Sequence, residues 1–225
     1  MISDFPQLKY LLNETEGINL PSANLYLEEI DFLKYLNGTG YAECGVTSCE
    51  EFVEAIKRGL KKPEDCPFLN RNRAQALEIS LTIHKFWPEV PLLTHPRPGT
   101  VGLVELNSPD TESTVLISGN NEYTEQILMS VLSTTKSPFF IMFVDTDGNT
   151  VDMSMIYQTL TAERIYLAMK ENNMNIKVKK KEIIIPGFAS SLKEDVEKLS
   201  GWNVRVGPVC AAEIPLFLSD MWIPP

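Results

Sequence analysis

The sequence predicts an α/β chain: a small, mostly helical segment over residues 1–87, a proline-rich joint over 88–100, and a Rossmann-like unit over 101–225. Three observations carry this. Before residue 88, apolar side chains recur at helical spacing with no convincing strand between them. Pro88, Pro91, Pro96, Pro98 and Gly99 then crowd one short stretch, which cannot continue a helix and reads as a stiff linker. After it, short apolar runs alternate with amphipathic segments, the pattern of an open sheet with crossover connections.

In the first segment, Phe5-Leu8-Leu11-Leu12, Leu27-Ile30-Leu33-Leu36 and Phe52-Val53-Ile56-Leu60 each predict one face of a helix. A fourth helix is predicted over 70–86, with Ala74, Leu77, Leu81 and His84 on one stripe, closed by Trp87-Pro88. In the second unit, strands are predicted at 101–106, 114–117, 139–144, 183–185 and 204–206, several apolar on both faces. Helices at 121–134, 161–172 and 190–199 fall between them. Ligands of such sheets bind at the carboxyl ends of the strands. Here those ends read Ser118-Gly119-Asn120, Asp145-Thr146-Asp147-Gly148, Pro186-Gly187 and Gly207-Pro208.

Composition narrows the classes of function. With 225 residues, 44% hydrophobic and 22% charged, the chain has enough apolar content for a packed core. Thirty acidic against twenty basic residues give a net charge of −10, which repels phosphate backbones and anionic lipid, so neither nucleic acid nor membrane is an expected partner. The strip Lys177-Val-Lys-Lys-Lys181 reads as a solvated strand edge. No run approaches the roughly 18 apolar residues that span a bilayer, and MISDFPQLKY lacks a secretory pattern; a cytoplasmic location is expected. No Ser-His-Asp, paired-carboxylate or Walker constellation points to hydrolysis or nucleotide transfer.

Three of the four cysteines are clustered. Cys44 and Cys49 flank a predicted helix start and Cys66 follows the helix, a spacing of C-x4-C-x16-C. A loop, a helix start and a returning loop can bring thiolates together, and the helix amino terminus favours their ionised form. A closed zinc site or a cubane normally takes four protein ligands. Three outcomes stay open: a cluster on three cysteines, zinc, or three small buried residues with no metal.

The run Tyr41-Ala-Glu-Cys44-Gly-Val-Thr-Ser-Cys49-Glu-Glu-Phe52, continuing to Cys66-Pro67, resembles the four-iron-four-sulfur domain of the large (gamma) subunit of the corrinoid iron-sulfur protein of the CO dehydrogenase/acetyl-CoA synthase system. That family's pattern is C-x2-C-x4-C-x16-C, and Cys44, Cys49 and Cys66 match its last three ligands while Tyr41 stands at the first. A longer resemblance runs through seven blocks, Val115-Leu-Ile-Ser-Gly-Asn120, Val144-Asp-Thr-Asp-Gly148, Leu160-Thr-Ala-Glu163, Ile184-Ile-Pro-Gly187, Gly201-Trp202, Val206-Gly-Pro208 and Ala211-Ala-Glu-Ile-Pro215, to the corrinoid-binding domain of the same subunit. The TIM barrel that joins the two domains in that family is lacking here, so this chain resembles a short form.

The resemblance implies a corrinoid (cobalamin) at the strand ends, with Gly119, Gly148, Gly187, Gly207, Ala211 and Ala212 allowing close approach. Asn120, Thr150, Ser154 and Thr161 would bond its amides, and Pro186 and Met153 would line it. Each also has an ordinary reading: a glycine after a strand is usually a turn residue, and Thr161 reads as a helix N-cap. The D-x-H-x-x-G cobalt-ligating motif is missing, and His84 and His95 both precede the α/β half. Cys210 reads first as a small buried residue. The function implied is a methyl carrier of an anaerobe working with a methyltransferase, a methyl-acceptor protein or a reductive activator. The alternatives are a cofactor-free interaction or regulatory protein that keeps the fold, motivated by Tyr41, Asp152 and Met153 at family positions, and an iron-sulfur electron-transfer protein.

Overall fold

The computed structural model describes residues 22–36, 41–92 and 95–224, with the backbone alone at Tyr41 and Ala42. The helix predicted around Phe5–Leu12 and the side chain of Tyr41 lie outside the described residues.

The chain is α/β, built on one five-stranded mixed sheet. Its strands are β1 (Gly102–Leu106), β2 (Thr114–Gly119), β3 (Phe139–Val144), β4 (Glu182–Ile185) and β5 (Asn203–Val206), in spatial order β1-β3-β2-β4-β5. From β3 to β5 the pairings are parallel, while β1 runs antiparallel to β3 with Leu103 opposite Met142. This antiparallel edge is the one departure from a sheet made wholly of crossovers, and the arrangement is consistent with a Rossmann-like domain.

Every residue of β2 and β3 is buried, because both faces of these strands are covered. Alternation along the strands sorts the core into two layers. Val115, Ile117, Phe140, Met142, Ile183 and Ile185 face α5 (Ala162–Glu171) and α7 (Lys193–Ser200), meeting Ile165, Met169 and Val196. Leu116, Phe139, Ile141, Phe143 and Ile184 face α3 (Glu122–Leu132), meeting Leu128, Val131 and Leu132, with Leu218 and Trp222 from the end of the chain. Two short helices, α4 (Val151–Ile156) and α6 (Met174–Lys177), complete the connection from β3 to β4.

The amino-terminal part contains α1 (Cys49–Lys57) and α2 (Arg71–Thr82). Ser48 caps the first by accepting from the Glu51 N–H, and Asn70 caps the second by accepting from the Arg73 N–H. A 3₁₀ turn over Ile83–Phe86 ends at Trp87, as Trp87-Pro88 predicts. Residues 27–36 form two 3₁₀ turns, Leu27–Glu29 and Phe32–Tyr35, in place of the predicted helix. Ile30 is extended between them, and the Asp31 carboxylate accepts from the Leu33 N–H, a local bond that restarts the chain as a tight turn.

These parts share apolar cores. Ile30 and Ile83 enter the layer containing Leu116 and Phe143. Leu36, Val53, Ala76 and Leu77 pack with Leu216 of α8 (Ile214–Phe217). The proline-rich stretch is stitched to the sheet: the Arg97 N–H donates to the Gly148 carbonyl at 2.8 Å, and the Arg97 carbonyl accepts from the Glu122 N–H at 2.9 Å.

Candidate functional site

From β2 the chain passes through α3 to β3 on one side; from β3 it passes through α4, α5 and α6 to β4 on the other side of β2. The order therefore reverses between β2 and β4, and the loops leaving their carboxyl ends part there, opening a crevice. A cavity of about 420 Å³ lies at that point. Leu116, Ile117 and Ser118 of β2 and Ile184, Ile185 and Pro186 at the end of β4 line it, with Tyr123, Thr124, Ile127 and Leu128 of α3 along one wall. Thr150, Val151, Asp152 and Met153 at the start of α4, together with Phe188, form another, and Gly207, Pro208, Val209 and Ala211 close the β5 end. The remaining wall comes from the amino-terminal part: Ala23, Asn24, Leu25, Tyr26, Trp87, Val90, Pro91 and Leu92. Most of these side chains are apolar, with Asn24, Ser118, Thr124, Thr150 and Asp152 as the polar points, the lining usual for a small-molecule site.

Of the residues singled out in the sequence, Thr150, Met153, Pro186, Gly207 and Ala211 lie on this cavity. The others sit behind it and shape the loops. Asn120 is buried, and its Oδ1 accepts from the Thr146 N–H at 2.8 Å and the Gly148 N–H at 3.2 Å, tying the turn after β2 to the turn after β3. Gly119 faces Thr146, which a Cβ would meet at 3.0 Å. Gly148 has φ +73°, and a Cβ there would stand 2.5 Å from the Pro98 nitrogen; Gly187 meets the backbone of Pro208 and Val209 in the same way. The close approaches at Gly148 and Gly187 are thus made by the chain's own backbone. Thr161 caps α5 by accepting from the Arg164 N–H, the Ser154 hydroxyl donates to the Val151 carbonyl, and Ala212 and Cys210 are buried in the core beside α3. Burial pushes the Cys210 thiol up to about 11.

Two features of the site had no signal in the sequence. Both concern the segment Ser22–Leu36, of which the sequence marks only Leu27-Ile30-Leu33-Leu36, as the face of an amphipathic helix. The Tyr26 hydroxyl donates to Asp152 Oδ2 at 2.6 Å, and its ring meets Phe188 edge-on at 4.7 Å between centroids. Asp152 also accepts from the Thr150 hydroxyl, so both carboxylate oxygens are bonded. Further along, the Tyr35 hydroxyl donates to Glu213 Oε1 at 2.7 Å, and Lys34 pairs with the same buried carboxylate. Burial, reinforced by the neighbouring carboxylates, pushes Tyr26 up to about 12 and Tyr35 well above the ordinary phenol range.

The cysteines occupy a separate place. Cys44 and Cys66 are buried against Phe52, whereas Cys49, the first residue of α1, is half-buried and packs toward Val53 and Leu77. Burial, and then hydrogen bonding to the Cys66 thiol, push the Cys44 thiol up to about 11 against the opposing pull of Lys61; burial also raises Cys49. Desolvation thus outweighs the helix amino terminus, which the sequence predicts to hold these thiols ionised. Among the described residues, no three His, Cys, Asp or Glu side chains form a group that could hold a metal ion. The three thiols are neighbours all the same: Cys44 hydrogen-bonds to Cys66, and both lie within electrostatic reach of Cys49.

Comparison with known proteins follows the same division. A model of the CO dehydrogenase/acetyl-CoA synthase delta subunit family matches residues 82–218, more than half of the chain and all five strands. The chain belongs to that family. A second family model, described as a putative Fe-S cluster, matches residues 42–68, the stretch holding Cys44, Cys49 and Cys66. The corrinoid/iron-sulfur protein large subunit of Moorella thermoacetica is 35% identical over 130 residues, covering 58% of this chain and 28% of that protein. The acetyl-CoA decarbonylase/synthase complex subunit gamma of Methanopyrus kandleri is 30% identical over 142 residues, 59% of this chain and 31% of that one. The subunit gamma of Methanocaldococcus jannaschii is 25% identical over 187 residues, 80% and 38% respectively. The chain thus spans 28% to 38% of the length of these curated relatives. Membership of the delta subunit family places the cavity within the matched region, apart from its Ala23–Tyr26 wall.

Proposed function

We propose that this chain binds a corrinoid in the cavity between β2 and β4 and serves as a cytoplasmic methyl-carrier component of a system related to acetyl-CoA synthesis. The observation that carries the reading is the cavity itself: it opens at the strand-order reversal, its walls are mainly apolar, and among the described residues lining it none is a histidine. Small residues at Gly207 and Ala211 leave room on one side, while Ser118, Thr124 and Thr150 offer hydroxyls to peripheral amides. Ile117, Ile184, Met153 and Trp87 exclude water from the interior. A corrinoid, when bound, supplies a cobalt centre able to carry a methyl group. The protein's part is shape, dryness and orientation. The names of the Moorella and Methanopyrus relatives support the assignment. A methyltransferase, a methyl-acceptor protein or a reductive activator would be its partners.

Anaerobic incubation with hydroxocobalamin followed by desalting tests this directly. Corrin absorbance stoichiometric with protein is expected, and Ala211→Trp should abolish it by filling the β5 end of the cavity. No retained absorbance in the wild type would refute the reading. It would leave the second one, a cofactor-free interaction protein, which the backbone contacts at Gly148 and Gly187 favour because the chain itself occupies those approaches.

A further inference from the structure

We infer that residues Ser22–Glu29 form a latch at the cavity, with the Tyr26–Asp152 hydrogen bond as its catch, and that the latch opens to admit and release the macrocycle. The inference rests on the corrinoid reading for the identity of the ligand. Four observations support the latch. Tyr26 is the point at which this segment bonds to the α4 wall, and its ring also leans on Phe188, so one side chain joins three parts of the cavity. Leu25 and Tyr26 both line the cavity and both have left-handed backbone, φ 53° and 62°, a conformation costly for non-glycine residues and sustained only by what holds it.

The two ends of the segment are anchored unequally. From Ile30 onward the chain is fixed by burial of Ile30 and Leu36 and by the Tyr35–Glu213 bond. Before Ile30, the turn Leu27–Glu29 has no fully buried side chain, Leu27 being half-buried against the core, and among the described residues the Ala23 N–H bond to the Val90 carbonyl and the Ser22–Pro91 bridge tie the segment to another wall. Opening at Tyr26 therefore exposes the cavity without unfolding either core. Finally, Ala23–Tyr26 stand as one wall of the cavity opposite Ile117, Ile184 and Pro186 of the sheet, so displacing them widens its mouth.

The test uses the full chain with and without hydroxocobalamin, comparing wild type, Tyr26→Phe and Asp152→Asn. Without corrinoid, hydrogen exchange of the amides in 22–29 should rise about tenfold in Tyr26→Phe, the loss of a bond to a charged acceptor, and less in Asp152→Asn. Exchange in β2 and β3 should not change. With corrinoid, uptake and loss should both accelerate in Tyr26→Phe. Unchanged exchange in 22–29 would overturn the latch, as would unchanged uptake and loss rates in a protein that retains corrin. Absence of retained corrin in all three proteins would instead overturn the ligand assignment, and the exchange comparison alone would then decide whether Tyr26 is a catch.

Discussion

At the scale of single residues, the chain spends its conformational freedom on bringing loops together. Gly148 is the clearest case, since its positive φ and the 2.5 Å approach of the Pro98 nitrogen leave no room for a side chain. Gly148→Ala should cost about 1–3 kcal/mol, read as a lower urea midpoint with unchanged slope. A smaller loss would mean that the proline-rich stretch can move away. Tyr26 permits a titration. Its folded pKa is raised to about 12, so the neutral phenol that donates to Asp152 is favoured by folding. The stabilisation is complete below the ordinary phenol pKa of about 10 and is lost as pH climbs from there toward the folded value. The difference in phenolate absorbance between wild type and Tyr26→Phe should therefore develop around a midpoint near pH 12; a midpoint near 10 would show that the bond does not form. The sequence marked Gly148 as a position of close approach, but which atoms approach it depends on where Pro98 is placed, and that is settled only by tertiary packing.

Elements were legible where burial is two-sided. The β2 and β3 runs stand out because Val115–Ile117 and Phe139–Val144 are consecutive apolar residues covered on both faces, and the amphipathic segments between strands form α3, α5 and α7. The antiparallel direction of β1 was not legible, since alternation along a strand carries no information about its partner's polarity. Residues 27–36 were misread because helical spacing of four apolar side chains also fits two tight turns, and the local bond from Asp31 decides between them. Of the site, the strand-end loops were readable, whereas the Tyr26 wall was not, because nothing in a segment's own periodicity reports a contact 126 positions away. The start of α3 shows how an element couples to its surroundings. Asn121 is fully buried; its Oδ1 accepts from the Tyr123 and Thr124 N–H groups, and its Nδ2 donates to the Gly148 carbonyl at 2.8 Å. Asn121→Ala removes a cap and one of the two donors to the Gly148 carbonyl, which keeps the Arg97 N–H, an expected cost of about 1–3 kcal/mol in chemical denaturation. Asn121→Asp keeps the acceptor and loses the donor, so it should fall between the two. Equal losses in both variants would assign the whole effect to the Gly148 bond.

At the scale of the whole molecule, the decisive feature is that apolar packing crosses the proline-rich stretch. Leu216, near the end of the chain, is 3% exposed and sits among Leu36, Val53, Ala76 and Leu77, while Ile30 and Ile83 reach the layer beneath β2 and β3. A chain of two independently stable units would place few contacts across such a joint. Shared cores instead couple α2 to the sheet, so loss of one side removes the cover of the other. Leu216→Ala deletes buried methyl groups at this junction and should cost about 2–5 kcal/mol. In hydrogen exchange at increasing urea, the amides of α2 and of β2 should then lose protection at the same denaturant concentration in the wild type. Both midpoints should fall together in the variant, because the cavity opened at Leu216 weakens one cooperative unit. If α2 lost protection first and β2 kept its wild-type midpoint, the helical part would be a separately folding module. The wall that contains Tyr26 and Trp87 would then belong to a unit that can leave the sheet altogether, and the opening of the cavity would be a domain motion in place of a local latch.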